Sequence, residues 1–193
     1  MKRIGWAVGC ALFAGAFCSP AGADDQAKAM EAYAKAAAVG PQHKLLASMA
    51  GSWEYTAKMW MAPGAPAQEW KGTAERKMVM DGRFLHEEVS GEFGGMAFRG
   101  SGLNGYDNVQ GKYVGTWIDN MSTGISRSIG TADATGKVIT YEREEFDPLT
   151  KSKSKGRDVL HIESNDKEVL EFHKSLPDGK EYKMMEIVYT RRK

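Results

Sequence analysis

From Trp53 onward the chain alternates apolar and polar residues with a period of two, interrupted by a turn signal about every ten residues. Trp53, Tyr55, Ala57, Met59 and Met61 alternate with Ser52, Glu54, Thr56 and Lys58. Trp70, Gly72, Ala74, Met78 and Met80 alternate in the same way with Lys71, Thr73, Glu75 and Lys77. Such alternation describes strands with one buried face. The punctuation falls at Pro63-Gly64, Asp81-Gly82, Gly94-Gly95, Asp107-Asn108, Thr123-Gly124, Asp133 to Gly136, Asp147-Pro148, Asn165-Asp166 and Pro177-Asp178-Gly179, which divides the region into about ten strands. Short connections favour antiparallel neighbours, and no long helical crossover is present to build a parallel sheet. An all-β, antiparallel up-and-down barrel leaves no free edge and is the expected fold.

The preceding segment has a different period. Asp24-Asp25 opens an alanine-rich stretch in which Met30, Tyr33, Ala34 and Ala37 share one helical face, and the two acids suit the helix dipole. Gly40-Pro41 ends it and starts a short second helix carrying Leu45, Leu46 and Met49, with Gly51 as its stop. Further upstream, Lys2-Arg3, an apolar run from Ile4 to Phe17 and the small triplet Ala21-Gly22-Ala23 read as a secretory signal peptide over residues 1–23. The run is too short for a transmembrane segment, which needs about 20 residues. The expected organisation is a signal peptide at 1–23, a helical segment at 24–50 and a barrel domain at 51–193, in an exported, periplasmic or extracellular protein.

Cys10 and Cys18 both lie in the segment to be removed, so no disulfide is expected in the mature chain. Bulky Phe17 before Cys18 argues against a lipidated cysteine. Removing residues 1–23 takes Lys2 and Arg3 and no acid, leaving 24 basic against 25 acidic side chains. That balance offers nucleic acid no electrostatic footprint.

A short helix followed by Gly51-Ser52-Trp53 at the start of the first strand and then a meander resembles the calycin superfamily of lipocalins and fatty-acid-binding proteins. The resemblance implies that Trp53 closes one barrel end and that Arg191 or Arg192 packs across it. A wider set is similar to the bacterial family called domain of unknown function 1579: Pro41-x-His43-x-x-Leu46, Gly51-Ser52-Trp53, Tyr189-Thr190-Arg191, and "GYDNVQGKYVGTWIDNMSTG" at residues 105 to 124. The resemblance covers residues 41 to 192 and implies a calycin-like barrel. It brings no established activity or catalytic residue.

Site chemistry is sparse. His43, His86, His161 and His173 show no local ligand spacing, so no metal site and no cofactor are expected. Some haem-binding barrels of the superfamily use a late-strand histidine, a role for which the resemblance offers only His173. A strand histidine with one solvated ring face is the simpler reading. Met59-Trp60-Met61 and Met78-Val79-Met80 place thioethers two residues apart on what read as common strand faces, a pattern suited to copper(I) or to core filling. No nucleophile signature is present, and the paired acids Glu87-Glu88 and Glu144-Glu145 point to opposite faces, most of them into solvent.

Two charges fall on inward faces: Arg76 in phase with Trp70, Ala74 and Met78, and Asp119 in phase with Tyr113, Gly115 and Trp117. A buried charge must be paired or wet. Arg76 and Asp119 therefore either grip the polar part of a ligand in a cavity or sit at the barrel ends. The expected function is binding of a small hydrophobic or amphipathic molecule inside the barrel, with Trp53, Trp70, Arg76, Phe98, Tyr106, Trp117, Asp119 and Met184 as candidate ligand-binding residues. The alternatives are an interaction or structural module with a filled barrel, and an enzyme or soft-metal protein.

Overall fold

A computed structural model of the chain describes residues 22–146, 151–176 and 179–193; the expected signal peptide, through residue 21, lies outside them. Two helices come first, α1 (Ala23–Ala37) and α2 (Pro41–Ser48). They are followed by β1 (Gly51–Met59), β2 (Gln68–Val79), β3 (Phe84–Phe93), β4 (Met96–Asp107), β5 (Lys112–Asp119), β6 (Ser126–Ala132), β7 (Val138–Phe146), β8 (Lys153–Ser164), β9 (Lys167–Ser175) and β10 (Glu181–Arg191). The ten strands form one closed barrel in which each pairs antiparallel with its sequence neighbours and β10 returns to pair with β1. Of the nine turn signals, those at Asp147-Pro148 and Pro177-Asp178 fall outside the described residues, and the others lie in or beside the connections they were expected to make.

Two compact units divide at Lys35 and Ala36. In the first, α1 begins with Asp24 and Asp25 and carries a Glu31–Lys35 ion pair of 2.6 Å. Its expected apolar stripe remains exposed at Met30 and Tyr33.

In the second, register fixes which residues face inward. Trp53 pairs with Ala74 and Arg191, Tyr55 with Gly72 and Tyr189, and Ala57 with Trp70 and Ile187, so the side chains of these rows share the barrel interior. Since successive hairpins alternate ends, the β2–β3, β4–β5, β6–β7 and β8–β9 turns lie at one end with α2, and the β1–β2, β3–β4 and β5–β6 connections lie at the other.

The α2 end is closed. Leu46 and Met49 pack with Leu85, Tyr113, Ile139 and Tyr141 into one buried cluster. Pro41 occupies the first turn of α2, and the Gly40 amide donates to His43 Nδ1 at 3.1 Å, which caps the helix. Trp53, fully buried, donates its indole N–H to the Met49 carbonyl at 3.0 Å. Arg191 lies 4.2 Å from the centre of that indole and donates to the carbonyls of Ala50 (2.6 Å) and Ser48 (2.7 Å). Arg191 is thus the basic residue that crosses Trp53. Gly51, at φ +131°, leaves the space for it, since a Cβ there would sit 2.5 Å from Arg191 Nη1.

The methionine pairs do not share strand faces as expected. Strands β1 and β2 end at Met59 and Val79, so Met61 and Met80 fall in connections and are exposed, with Met80 in the left-handed region at φ 49°. The chain reverses before the second thioether of each pair can join the first.

Candidate functional site

The middle of the barrel holds Arg76, inward as its phase implies, together with carboxylates that partner it. Arg76 on β2 donates Nε to Glu87 Oε1 at 2.7 Å and Nη1 to Glu168 Oε2 at 2.5 Å. All three are buried, at 9, 9 and 2 % exposure, while Glu88 and Glu144 are exposed, so of the paired acids Glu87 is the one turned inward. The guanidinium lies over Tyr189 (4.4 Å) and Trp53 (5.1 Å), so its faces meet rings and its edges meet carboxylates. Burial alone would lower the Arg76 pKa, but Glu87 and Glu168 outweigh it and raise it further above its usual range. Burial, reinforced by Glu87, also raises the Tyr189 phenol, which stays neutral. On the other wall Arg143 of β7 donates Nε to both Asp158 oxygens, at 2.9 and 3.2 Å, with Phe172 at 5.7 Å from the guanidinium.

Beyond these ion pairs the interior is lined by rings laid against the wall. Trp117 lies over Gly100 and Gly102 of the neighbouring strand; a Cβ at Gly100 would be 2.1 Å from its ring and one at Gly102 3.2 Å. Asp119 holds the ring by accepting the indole N–H at 2.9 Å, and its other oxygen accepts the Met121 amide. Phe98 stacks beside it at 6.5 Å between centroids and 21° between planes. Tyr55 covers Gly72 and Gly91 likewise, with a Cβ at either falling 2.5 Å from its hydroxyl. These glycines take the place of side chains that would lift the rings into the lumen.

Two hydroxyls on this inward face are buried without a hydrogen-bond partner, Tyr55 Oη and Ser126 Oγ. Burial raises the Tyr55 pKa, the neighbouring Trp70 side chain moderates that rise, and Glu87 adds to it. Phe98, Trp117, Leu170, Phe172 and Ile187 all have inward register and remain partly accessible; all but Phe172 pack against the buried cluster of Trp53, Tyr55, Ala57, Ala74, Val89 and Tyr189. At the barrel rim away from α2 an open concavity of about 280 Å³ lies between Trp60, Ala62, Pro63 and Gly64 on one connection and Tyr182 and Lys183 on β10.

The eight sequence candidates therefore separate. Trp53 and Tyr106 belong to the closed end, Tyr106 edge-on to Tyr113 (5.0 Å) and His43 (6.0 Å). Arg76 sits in the middle, committed to two carboxylates. Trp70, packed edge-on against Phe93 at 4.8 Å, joins Phe98, Trp117 and Asp119 in the open half. Met184 is the extra residue of a bulge in β10, and Met185 holds the inward register opposite Phe172. His173 is in outward register between Phe172 and Lys174 and pairs with Glu171 at 3.2 Å, which places it outside the lumen. Among the described residues no cluster of His, Cys, Asp and Glu could hold a metal ion.

Residues that the sequence reading passed over are Tyr55, Ser126, Glu87, Glu168, Arg143 and Asp158. Counting outward from the Asp81-Gly82 turn pairs Arg76 with Glu87, a signal present in the sequence.

The closed, helix-plugged, up-and-down barrel, with a first-strand tryptophan crossed by a last-strand arginine, is compatible with the calycin-like fold that the resemblance implies. The chain belongs to the family described as Protein of unknown function (DUF1579), which matches residues 38–191. Pro41, His43, Leu46, Trp53 and Arg191, all within the matched range, build the closed end. Among solved structures, the crystal structure of Rv2717c from M. tuberculosis is similar at 15 % identity and a TM-score of 0.54, covering 81 % of this chain and 100 % of that one. A redesigned β-barrel aligns at 15 % identity and a TM-score of 0.38, over 77 % of this chain and 96 % of its own. At such identity the likeness is one of fold. No curated protein matches the chain. No helix among the described residues is long and apolar enough to cross a membrane.

Proposed function

We propose that the barrel binds a small apolar or amphipathic molecule in the half of its interior that α2 leaves open. The reading is supported above all by the register and exposure of the rings away from α2. Phe98, Trp117 and Phe172 face inward and stay partly accessible beside the buried Tyr55, Ala57 and Val89, and the concavity between Trp60 and Tyr182 opens at the same end. A concave, mostly apolar surface with a few polar groups is what small-molecule sites are made of. Tryptophan fluorescence titration with oleate, 1-aminoanthracene and lumichrome, together with native mass spectrometry of the protein as purified, tests it. Saturable binding of at least one, weakened by Trp117→Ala, is expected; a protein that carries no small molecule and binds none of the three would sink the proposal.

The proposal includes export, with residues 1–23 as signal peptide, 24–50 as helical segment and 51–193 as binding domain. The basic pair, apolar run and Ala21-Gly22-Ala23 support it. N-terminal sequencing of the natively expressed protein should begin at Asp24, and recovery of uncleaved chain from the cytoplasm would refute this part.

A further inference from the structure

We infer that the open half of the barrel is built for a flat, uncharged heteroaromatic molecule with hydrogen-bonding edges, rather than for an aliphatic acid. The inference rests on the ligand-binding reading above and narrows it. Going round the wall from β1 to β6, Tyr55 covers Gly72 and Gly91, Phe98 pairs in register with Gly91, Trp117 covers Gly100 and Gly102, and Ser126 pairs with Trp117. Phe98 and Trp117 keep part of their ring faces accessible, Tyr55 is buried beside them, and an unpartnered buried hydroxyl stands on either side, Tyr55 Oη and Ser126 Oγ. Ring faces favour a flat partner in offset stacking, whereas a flexible chain gains only area from them. A buried hydroxyl without a partner gains a full hydrogen bond from a ligand edge that reaches it.

Charge argues against an acid. Both buried arginines are already held by carboxylates, Arg76 by Glu87 and Glu168, and Arg143 by Asp158. Asp119 adds a further carboxylate on the inward face beside Trp117. Lys174, turned inward by register at the rim, has an interaction of its own. A ligand carboxylate would enter an interior whose acids outnumber its arginines, at a desolvation penalty with no guanidinium to offset it.

The test uses the full mature chain with lumichrome, a neutral flat tricycle, and oleate, an aliphatic anion, as probes. Lumichrome should bind more tightly, and Trp117→Leu, which keeps an apolar side chain without the ring face, should weaken it about tenfold while leaving oleate within about twofold. Tyr55→Phe and Ser126→Ala, which remove only an oxygen each, should weaken lumichrome about fivefold without lowering the melting temperature, because each deletes an unsatisfied group from the free protein. Oleate binding tighter than lumichrome, or lumichrome affinity indifferent to all three substitutions, overturns the inference and leaves the broader proposal standing. Failure of both probes and of 1-aminoanthracene removes the broader proposal as well.

Discussion

Gly100→Ala distinguishes a ring seated on bare backbone from an ordinary strand glycine. Gly100 does not adopt a positive φ, so alanine is compatible with its backbone, and strand propensity alone favours the change by roughly 0.5–1 kcal/mol. The added Cβ, however, would lie 2.1 Å from the Trp117 ring, and ordinary contact begins at 3.4 Å, so the ring must retreat by about 1.3 Å. It cannot slide freely, because Asp119 holds its indole N–H at 2.9 Å and Phe98 stacks beside it. Overpacking of this kind costs about 1–3 kcal/mol, and the propensity gain offsets part of it, leaving a net loss of about 1–2 kcal/mol. Urea unfolding followed by tryptophan emission measures it. In a Trp117→Leu background the same substitution should lose its penalty, so the double-mutant cycle isolates the ring contact. A neutral or stabilising Gly100→Ala, or a penalty that persists without Trp117, would refute the argument.

Arg76→Met should destabilise by about 3–5 kcal/mol, since it leaves Glu87 and Glu168 buried without their cation. The addition of Glu87→Gln and Glu168→Gln should recover most of it; urea unfolding curves showing the triple variant no more stable than Arg76→Met would contradict this. On the outer face, burial opposes ionisation of Glu171, but hydrogen bonds from Lys183 and His173 outweigh it and hold its pKa below the ordinary 4.5. A depressed carboxyl contributes stability that is fully present above pH 4.5 and is lost as pH falls through the folded-state value. Melting temperatures should therefore separate wild type from Glu171→Gln at neutral pH and converge in acid, and a constant difference across that range would show that the pairing is not the cause.

Much of the architecture could be read from residue order alone, because turn chemistry is local. Asp81-Gly82 and Asp107-Asn108 with Gly111 mark reversals by backbone preference, and Asp107 accepts the amides of Val109 and Gln110 where such a turn requires. The resemblance offered Trp53 with either Arg191 or Arg192 across it, and the contacts with the indole and with the carbonyls of Ser48 and Ala50 select Arg191. The site was legible only in part. Trp70, Phe98, Trp117 and Asp119 follow from alternation, but Glu168 reaches Arg76 across 92 residues through closure of the barrel, which no local pattern encodes. The glycines at 72, 91, 100 and 102 read as weak points in strands until the rings above them are placed. Met184 and Met185 differ in role because of a bulge, an insertion that alternation cannot register.

The seam between β1 and β10 sets the order in which the molecule can be made. Ala50 and Arg191 are separated by 141 residues, and the tryptophan they enclose stays uncovered until the last strand has been synthesised. Before then Arg76 can find Glu87 across its own hairpin, while Glu168 and Tyr189 are still to come. Pairings between distant parts of a chain form slowly and late. Until β10 is present, β1 therefore keeps an unpaired edge. The chain becomes a barrel only in one terminal act of closure, and until that moment it remains a substrate for anything that handles unfolded polypeptide.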